Sequence, residues 1–330
     1  MTTHAPVPDD APVPRVIHTA QALVDEVVTV DALPARGGNA VARTYGRYAG
    51  GAVNILVAAS RSGARAVLAG SVGTGPNGDL VRAALAAEGV TVSSPPVTDL
   101  DTGICFVMVE PSAERTFVTT QGAERRISIE SLQTSAPVAG DLVCLSGFSL
   151  VGRTRDPLVA WLESLEPAVV VVLDPGAAFA DLPADVRERA LARTTVWTSN
   201  AEEAGQLTGH ADPAASVEAL TAVLPAGAVV IVRDGPRGCH LHEGGRTTSL
   251  QGYPQEAIDT NGAGDTHTGV LVACRAAGAD WETAATRANA AGAIKVTRRG
   301  PATAPTAAEI DELLAGQGRA GQRRRPRQGR

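Results

Sequence analysis

The chain has 330 residues, of which 44% are hydrophobic and only 3% aromatic, and its formal net charge is −6. A chain of this length is able to bury a large core. That core must consist mainly of Val, Leu, Ile and Ala, which favours a layered α/β protein over an aromatic-rich β-sandwich. The acidic balance argues against nucleic acid as the main partner, because binding to phosphates needs a basic face.

Two helices and six strands are predicted over the first 120 residues. The helices cover Tyr48–Ser62 and Asp79–Glu88, and each ends before a glycine, as helices commonly do. The strands are predicted at Arg15–Thr19, Ala22–Val30, Arg43–Tyr48, Ala66–Val72, Thr102–Glu110 and Arg115–Thr120. The last two strands form a predicted β-hairpin around the turn Pro111–Glu114.

From residue 142 onward, apolar strands alternate with helices. The strands are predicted at Leu142–Leu145, Val169–Leu173, Thr195–Thr198 and Val229–Arg233. The helices are predicted at Pro157–Glu166, Ala184–Ala192, Val217–Val223, Gly264–Ala277 and Glu282–Val296. This alternation predicts an α/β fold, a doubly wound and mostly parallel sheet with helices on both faces. The polar, alternating strands over 22–48 and 100–121 do not fit this rhythm, and we expect them to form a small separate β-sheet.

The two ends of the chain differ from the domain predicted over 15–316. Residues 1–14 carry Pro and Asp, lack the basic and apolar regions of a signal peptide, and are predicted to be a disordered tail. Residues 317–330 are rich in Arg, Gly and Gln. That segment is either an arm that binds nucleic acid or an anionic surface, or a solvated and disordered basic tail, which its composition favours.

The cysteines and the hydropathy pattern indicate the compartment. Cys105, Cys144, Cys239 and Cys274 have no CxxC spacing, so we expect buried free thiols in a reducing environment. The sequence has no run of 18 apolar residues, which argues against a membrane span. The protein is therefore predicted to be cytoplasmic, with no membrane partner and no nucleic-acid partner.

The chain contains a single lysine, Lys295. A Walker A loop needs a Gly-Lys-Ser/Thr sequence, and a protein kinase needs a lysine on a strand beside ATP. The sequence has no candidate for either, and nothing around Lys295 suggests a Schiff base. Any chemistry with ATP must therefore hold phosphate without lysine.

The strongest local signal is the segment Asp259–Thr266, Asp-Thr-Asn-Gly-Ala-Gly-Asp-Thr, which leads into an apolar helix. Small residues at a helix N-terminus let several backbone N–H groups converge, and the helix dipole adds to their attraction for an anion. Asp265 then lies beside that anion, where it is able to take the proton of a hydroxyl that attacks phosphorus. The alternative is that the segment only turns the chain and that Asp265 caps the helix.

The same segment resembles the C-terminal signature of the PfkB/ribokinase carbohydrate kinase family, although His267 stands where that family usually has Phe. The resemblance implies a ribokinase-like fold whose small sheet closes as a lid, and transfer of the γ-phosphate of ATP to a sugar hydroxyl with Mg²⁺. It implies that the amides of Gly262, Ala263 and Gly264 form an anion hole and that Asp265 is the catalytic base.

Further stretches resemble the family, in family order, over residues 15 to 312. They imply a sugar site at Asp25, Gly50, Gly51 and Asn54. They imply a nucleotide site at Asn200, Arg233, Gly235, Gly238 and Asn289, with Glu203 organising Mg²⁺ partly through water. They also imply a K⁺ or other monovalent cation site at Asp259, Asn261, Arg298 and Gly300, although Ala304 replaces a polar ligand. In such kinases the lid edge often pairs between subunits, so a homodimer is also expected.

Other functions compete for two local patterns. Gly73–Gly78 is a literal GxGxxG followed by Asp99 or Asp101, which would suit an NAD(P)-dependent oxidoreductase, but Pro76 occupies the loop that should approach the pyrophosphate. His240 and His242 share one face of a strand, but zinc needs more ligands, so we expect an exposed strand end. A third possibility is a non-catalytic sugar-binding protein on the same fold, against which an intact Asp265 argues.

The acceptor is not identified by the sequence. An acidic residue that ribokinases carry after the strand ending Leu145-Ser146-Gly147 is absent, and Asp174–Ala178 departs from the Asp-x-Asn-x-Arg of fructokinases. Neither ribose nor fructose is therefore assigned. A nucleoside kinase of the same family is the nearest enzymatic alternative, and its base would need an aromatic shelf, for which the candidates are Tyr45, Tyr48, Phe106, Phe117 and Phe148.

Overall fold

The computed structural model describes residues 13–112 and 114–323, and of residues 317–323 the backbone only. The strands are β1 Arg15–His18, β2 Ala22–Thr29, β3 Thr44–Gly51, β4 Arg65–Leu68, β5 Thr91–Val92, β6 Ile104–Val109, β7 Arg115–Thr119, β8 Leu142–Ser146, β9 Val170–Asp174, β10 Val196–Asn200, β11 Val229–Arg233, β12 Gly238–Glu243 and β13 Arg246–Gln251. The α-helices are α1 Ala52–Arg61, α2 Pro76–Ala87, α3 Ile129–Gln133, α4 Arg155–Ser164, α5 Ala184–Arg193, α6 Ala201–Thr208, α7 Pro213–Val223, α8 Ala263–Ala276, α9 Trp281–Lys295 and α10 Ala307–Arg323.

Nine strands form one large sheet in the order β13-β12-β11-β10-β9-β8-β1-β4-β5. The strands from β11 to β5 are parallel, and β12 and β13 continue the sheet as an antiparallel hairpin at one edge. Successive side chains point to opposite faces: Val16 packs in the cluster under α1, α8 and α9, and Ile17 in the cluster under α4, α5 and α7. The predicted doubly wound, mostly parallel sheet is confirmed.

Four strands form the predicted second sheet, in the order β3-β2-β6-β7. Strand β2 pairs in parallel with β6, and β3 and β7 flank them in antiparallel pairs. Leu23, Cys105 and Val107 form a small apolar cluster within this sheet, whereas Tyr45 and Phe117 are exposed. The polar alternation of these strands reflects a sheet that packs on one side only.

Helix α1 begins four residues later than predicted, because the chain from Tyr48 to Gly51 continues strand β3. Those residues pair with Asp25 to Ala22 of β2, and this pairing satisfies backbone groups that a helix would otherwise have satisfied. The local sequence Ala-Gly-Gly has little helix propensity of its own, so the partner strand decides the conformation. As a result, Gly50 and Gly51 belong to the small sheet and Asn54 to the first turn of α1.

The sequence did not reveal strand β13 or helices α6 and α10, although the pattern of His240 and His242 had indicated strand β12. Helix α10 extends to Arg323, beyond residue 317, where the disordered tail is predicted to begin. Residues 1–12 and 324–330 of the predicted tails lie outside the described residues. No helix within 13–112 or 114–323 is long and apolar enough to cross a membrane. All four cysteines are free, and three are buried.

Candidate active site

The predicted site residues converge where the parallel strands of the large sheet end and helix α8 begins. Gly262 precedes α8 with φ of 76°, and a Cβ there would lie 2.6 Å from the carbonyl oxygen of Pro301, so only glycine suits this position. In the described part of the chain, no side chain caps the N-terminal amides of α8. The start of this helix therefore keeps the free donors that an anion needs.

Asp265 lies in the first turn of α8 and does not cap the helix. Its Oδ2 accepts a hydrogen bond of 2.8 Å from Nδ2 of Asn54, which lies on α1. Burial raises the pKa of Asp265 to about 6; the Asn54 bond and the charges of Arg233 and Arg115 oppose this rise. A carboxyl group with a pKa near the working pH is suited to general base catalysis.

Asp25 faces the same space from strand β2. Burial, followed by the charge of Asp265, raises the pKa of Asp25 to about 7. Gly50 on the paired strand leaves room for this carboxylate, because a Cβ at Gly50 would lie 2.3 Å from Asp25 Oδ2. Asn54 adds an acceptor, since its Oδ1 is buried and has no hydrogen-bond partner among the described residues. Two acceptor groups thus face one polar space, one from the small sheet and one from helix α1.

A second group of side chains surrounds Arg233 at the end of β11. Its Nη1 donates to Thr198 at 2.9 Å, to Thr268 at 3.1 Å and to Asp174 Oδ2 at 3.3 Å. Its Nη2 lies 3.7 Å from Oε2 of Glu203. The Arg233 guanidinium also approaches Gly264, where a Cβ would lie 3.5 Å from Nη2. Arg233 thus links the acidic side chains to the amides at the start of α8.

Asn200 and Glu203 begin helix α6 as a reciprocal cap. The Glu203 amide donates to Oδ1 of Asn200 at 2.7 Å, and the Asn200 amide donates to Oε2 of Glu203 at 2.9 Å. Burial and the charge of Asp174 raise the pKa of Glu203, and the charge of Arg233 opposes this rise. The cap fixes both side chains beside Arg233, where an oxygen-binding cation such as Mg²⁺ would neutralise excess negative charge.

Gly235 and Gly238 lie in the turn between β11 and β12, next to Arg233. Asn289 of α9 is buried, and its Nδ2 donates to the carbonyl of Gln251 at 3.1 Å. Its Oδ1 lies 3.1 Å from Nε2 of His267. The histidine that replaces the family's usual Phe at this position therefore changes the packing between α8 and α9. Burial lowers the pKa of His267 to about 3, which keeps the ring neutral.

The four residues predicted to hold a monovalent cation also come together. The Asp259 carboxylate accepts the amides of Asn261 at 2.8 Å and Gly300 at 2.9 Å. The Nζ of Lys295, however, donates to the carbonyls of Asp259 at 2.9 Å and Arg298 at 3.4 Å. An ammonium group thus stands among the oxygens expected to bind the ion, so these residues do not fit a bound K⁺.

Several site residues were not found from the sequence. Asp174, Thr198 and Thr268 bind the Arg233 guanidinium, and Arg115 of β7 donates from Nη1 to Asn261 Oδ1 at 3.1 Å. Asp174 ends strand β9, and the rule that ligands bind at the carboxyl ends of parallel strands would have indicated it. Arg115 had no local signal, because only the tertiary fold brings the small sheet to the Asn261 loop.

The Gly73–Gly78 loop does not hold a dinucleotide. The Asp101 carboxylate accepts the amides of Gly75 at 3.1 Å, Asn77 at 3.0 Å and Gly78 at 2.9 Å. Burial would raise the pKa of Asp101, but these amides and that of Thr102 lower it. The donors that a pyrophosphate would need are already occupied, so the oxidoreductase interpretation is wrong.

The paired histidines also have an ordinary explanation. Nδ1 of His240 lies 3.0 Å from Ser249 Oγ, and Nδ1 of His242 lies 2.9 Å from Thr247 Oγ1, both across the β12–β13 hairpin. Over the described ranges, no group of three or more His, Cys, Asp or Glu side chains is arranged to hold a metal ion.

Comparison with known proteins agrees with this geometry. The family model "pfkB family carbohydrate kinase" matches residues 18–308. An Escherichia coli (strain K12) protein described as the uncharacterized sugar kinase YegV is 30% identical over 322 residues, covering 94% of this chain and 97% of that protein. The ribokinase of Haemophilus influenzae is 29% identical over 297 residues, covering 88% and 95%.

Among solved structures, Arabidopsis thaliana ribokinase complexed with ribose and ATP superposes with a TM-score of 0.76 at 22% identity, covering 92% of this chain and 99% of that one. This likeness supports the ribokinase-like fold. The family match covers most of the chain, from β1 into α10. The chain therefore belongs to the pfkB family of carbohydrate kinases, which are phosphotransferases with an alcohol group as acceptor.

Proposed function

We propose that this protein is an ATP-dependent sugar kinase that transfers the γ-phosphoryl group of ATP to a primary hydroxyl of a carbohydrate. The observation that carries the proposal is the position of Asp265. This carboxylate is half-buried, has a pKa of about 6, and follows directly on amides that no side chain caps in the described chain. A base and an anion-binding site in consecutive residues are what phosphoryl transfer to a hydroxyl requires.

The reaction proceeds by attack of the sugar oxygen on the γ-phosphorus. Asp265 accepts the hydroxyl proton as the new O–P bond forms and the bond from phosphorus to the β,γ-bridging oxygen breaks, which releases ADP. The amides of Gly262, Ala263 and Gly264 hold the oxygens of the transferred group. They act where charge is redistributed during the transfer.

The sugar binds between the small sheet and α1. The Asp25 carboxylate accepts sugar hydroxyls, and the buried Oδ1 of Asn54, which lacks an internal partner, accepts another. Gly50 and Gly51 keep this wall of the site free of side chains. Leaving such buried acceptors unpaired is costly, and this cost favours a ligand rich in hydroxyl groups.

The nucleotide binds across the ends of β10 and β11. Asn200, Arg233 and the turn with Gly235 and Gly238 lie at this edge. The family resemblance implies that Asn289 lies near the adenine of ATP. Relatives in the family bind ATP together with Mg²⁺. When bound, Mg²⁺ neutralises charge on the phosphates, and Glu203 organises the ion partly through water.

The small sheet acts as a lid over the sugar. Arg115 on this sheet already reaches Asn261, next to the anion hole, so lid position and the catalytic loop are linked. Closure excludes water, which competes with the sugar for the phosphoryl group. The edge strands β3 and β7 expose Tyr45 and Phe117, which supports a homodimer through the lid. The buried free thiols support a cytoplasmic location.

A nucleoside is the second candidate acceptor. Phe148 follows β8 at the carboxyl edge of the sheet and is 49% exposed, and its ring lies against Gly176 after β9. An exposed aromatic ring at this edge is able to stack on a base. Loss of activity in Phe148→Ala toward nucleosides but not toward simple sugars would favour this candidate.

The test is ADP formation with Mg·ATP against a panel of pentoses, hexoses, ketoacid sugars and nucleosides. Asp265→Asn runs in parallel and should retain ligand binding while turnover falls by about 10² or more. One acceptor with Asp265-dependent ADP formation supports the proposal and identifies the substrate class. Wild-type turnover in Asp265→Asn would refute the assignment of the base.

A further inference from the structure

Lys295 is the only lysine of the chain, and its side chain is fully buried. It lies at the last position of α9, and its Nζ points to the loop that precedes the anion hole. The amine donates to the carbonyl oxygens of Asp259 and Arg298, at 2.9 Å and 3.4 Å. Burying a cationic side chain is costly unless it is paired and hydrogen-bonded, so its position needs an explanation.

The surroundings of Lys295 are those of a cation site. Besides the two carbonyls, the carboxylates of Asp259 and Asp265 favour its charged form. Burial and the charge of Arg115 lower the pKa of Lys295, and these two carboxylates oppose that change. The site therefore combines backbone oxygens and net negative charge around one compact ammonium group.

The same contacts connect two segments that shape the anion hole. Asp259 fixes the amides of Asn261 and Gly300 through its two carboxylate oxygens. Gly262 then packs so closely on Pro301 that no Cβ fits between them. Lys295 joins the two segments, because its Nζ donates a hydrogen bond to one carbonyl oxygen of each. Without a cation, the carbonyls of Asp259 and Arg298 would face each other with no donor between them.

We propose that the ammonium group of Lys295 is a built-in substitute for a monovalent cation, which positions the Gly262–Gly264 amides and makes the kinase independent of K⁺. Lys295 is a positioning residue, since it acts through the loop and not on the substrate. This inference rests on the proposed kinase function for its effect on turnover, but the ion preference follows from the contacts alone.

The residue type supports this role. Every other basic residue of the chain outside histidine is arginine, including those in partly buried ion pairs such as Arg233. The planar guanidinium group presents its donors in a fixed fork, whereas an ammonium group is a compact point charge with three donors. Only lysine among the side chains resembles K⁺ in charge and shape. A tethered ammonium is always present, whereas a free ion must first bind from solution.

The first experiment measures turnover of the full-length protein, with a saturating acceptor and Mg·ATP, in tetramethylammonium, Na⁺ or K⁺ chloride at one ionic strength. We expect wild-type turnover to vary less than about twofold among the three salts. Activation of the wild type by K⁺ well beyond that range would overturn the inference and leave the kinase function intact. Absence of Asp265-dependent ADP formation with every acceptor would instead refute the proposed function.

The second experiment removes the ammonium group. Lys295→Ala opens space for an ion, and we expect its turnover in tetramethylammonium chloride to fall at least about tenfold, because the anion hole is misplaced. Addition of K⁺ should restore a large part of that loss. Lys295→Met fills the space without charge and should lose activity without rescue. Arg246→Met, an exposed arginine of β13, is the matched control and should behave as the wild type. Full activity of Lys295→Ala without K⁺ would overturn the inference.

Thermal unfolding gives a readout that needs no acceptor. The melting temperature of the wild type should be the same in K⁺ and tetramethylammonium chloride, whereas Lys295→Ala should gain a K⁺-specific increase by binding the ion. A K⁺-specific increase in the wild type would show a vacant ion site and would refute the substitution. If neither Lys295 variant folds, the salt comparisons on the wild type still decide the question.

Discussion

The hydrogen bond between Asn54 and Asp265 should set the pH at which this enzyme loses activity. Asp265 must be ionised to accept a proton, so kcat/KM should fall as the pH drops through the pKa of the base. The pKa of Asp265 is about 6, and that of the neighbouring Asp25 is about 7. Because the two carboxylates interact, the acid limb should show apparent values for the pair in the range of about 6 to 7.

Asn54→Leu removes the donor and keeps a side chain of similar size. A hydrogen bond to a charged group contributes about 1.5–3 kcal/mol, and one pKa unit corresponds to about 1.4 kcal/mol. The Asn54–Asp265 hydrogen bond is only partly buried, so solvent screens part of this interaction and the lower end of that range applies. We therefore expect the midpoint of the acid limb to move upward by about one pKa unit. The absolute kcat/KM should also fall if Asn54 binds the sugar as proposed.

The assay is a pH profile of kcat/KM for the acceptor found in the panel, with ADP measured by a method calibrated at each pH. Gln133→Leu makes the same kind of amide-to-apolar change on the exposed side of α3 and should leave the midpoint unchanged. A lower kcat/KM with an unshifted midpoint would mean that Asn54 only binds sugar. A midpoint shifted to lower pH would refute the assignment of Asp265 as the group that titrates.

Three further changes test the site. Asp265→Asn should raise the free energy of unfolding at pH 8 by about 1–3 kcal/mol in urea titrations, because a folded pKa above the unfolded value makes the ionised carboxylate destabilising at high pH. This gain should shrink as the pH falls through 6 toward 4. An unchanged stability at pH 8 would contradict the raised pKa. Gly262→Ala should reduce turnover and lower the midpoint of urea unfolding by an amount equivalent to at least about 1 kcal/mol, because its Cβ would meet Pro301. Wild-type turnover together with a wild-type unfolding midpoint would argue against a strained anion hole. Arg115→Ala should lower kcat and leave the melting temperature within about 2 °C of the wild type, because the hydrogen bond from Arg115 to Asn261 links the small sheet to the catalytic loop. A kcat equal to that of the wild type would mean that the small sheet does not affect catalysis through this bond.

The features that the sequence predicts well are local. Apolar runs such as Val229–Arg233 are strands whatever surrounds them, and their alternation with helices leaves few arrangements other than a doubly wound sheet. The Asp259–Asp265 segment is equally local, since its small residues and the helix that follows define an anion site by themselves.

Features that depend on distant partners were predicted poorly. The helix predicted from Tyr48 is a strand up to Gly51, because β2 offers it a partner. Arg115 and Asn261 are 146 residues apart, and nothing in either neighbourhood indicates their contact. The GxGxxG loop matches a dinucleotide-binding pattern, but the carboxylate of the distant Asp101 occupies its amides. In each case the deciding group comes from another part of the chain.

The acidic side chains of the candidate site are only partly compensated by basic side chains of the chain itself. Desolvation and neighbouring acidic groups raise the pKa values of Asp25, Asp265 and Glu203, and the charge of Arg233 opposes this rise for Asp265 and Glu203. Such crowding is unfavourable in the free protein, and in the proposed mechanism it is relieved by sugar hydroxyls that donate to the first two and by Mg²⁺ near the third. Lys295 differs, because its partners are internal and complete without any ligand. In the proposed mechanism the ligands therefore supply the charges that change during catalysis, whereas Lys295 supplies the one that stays constant.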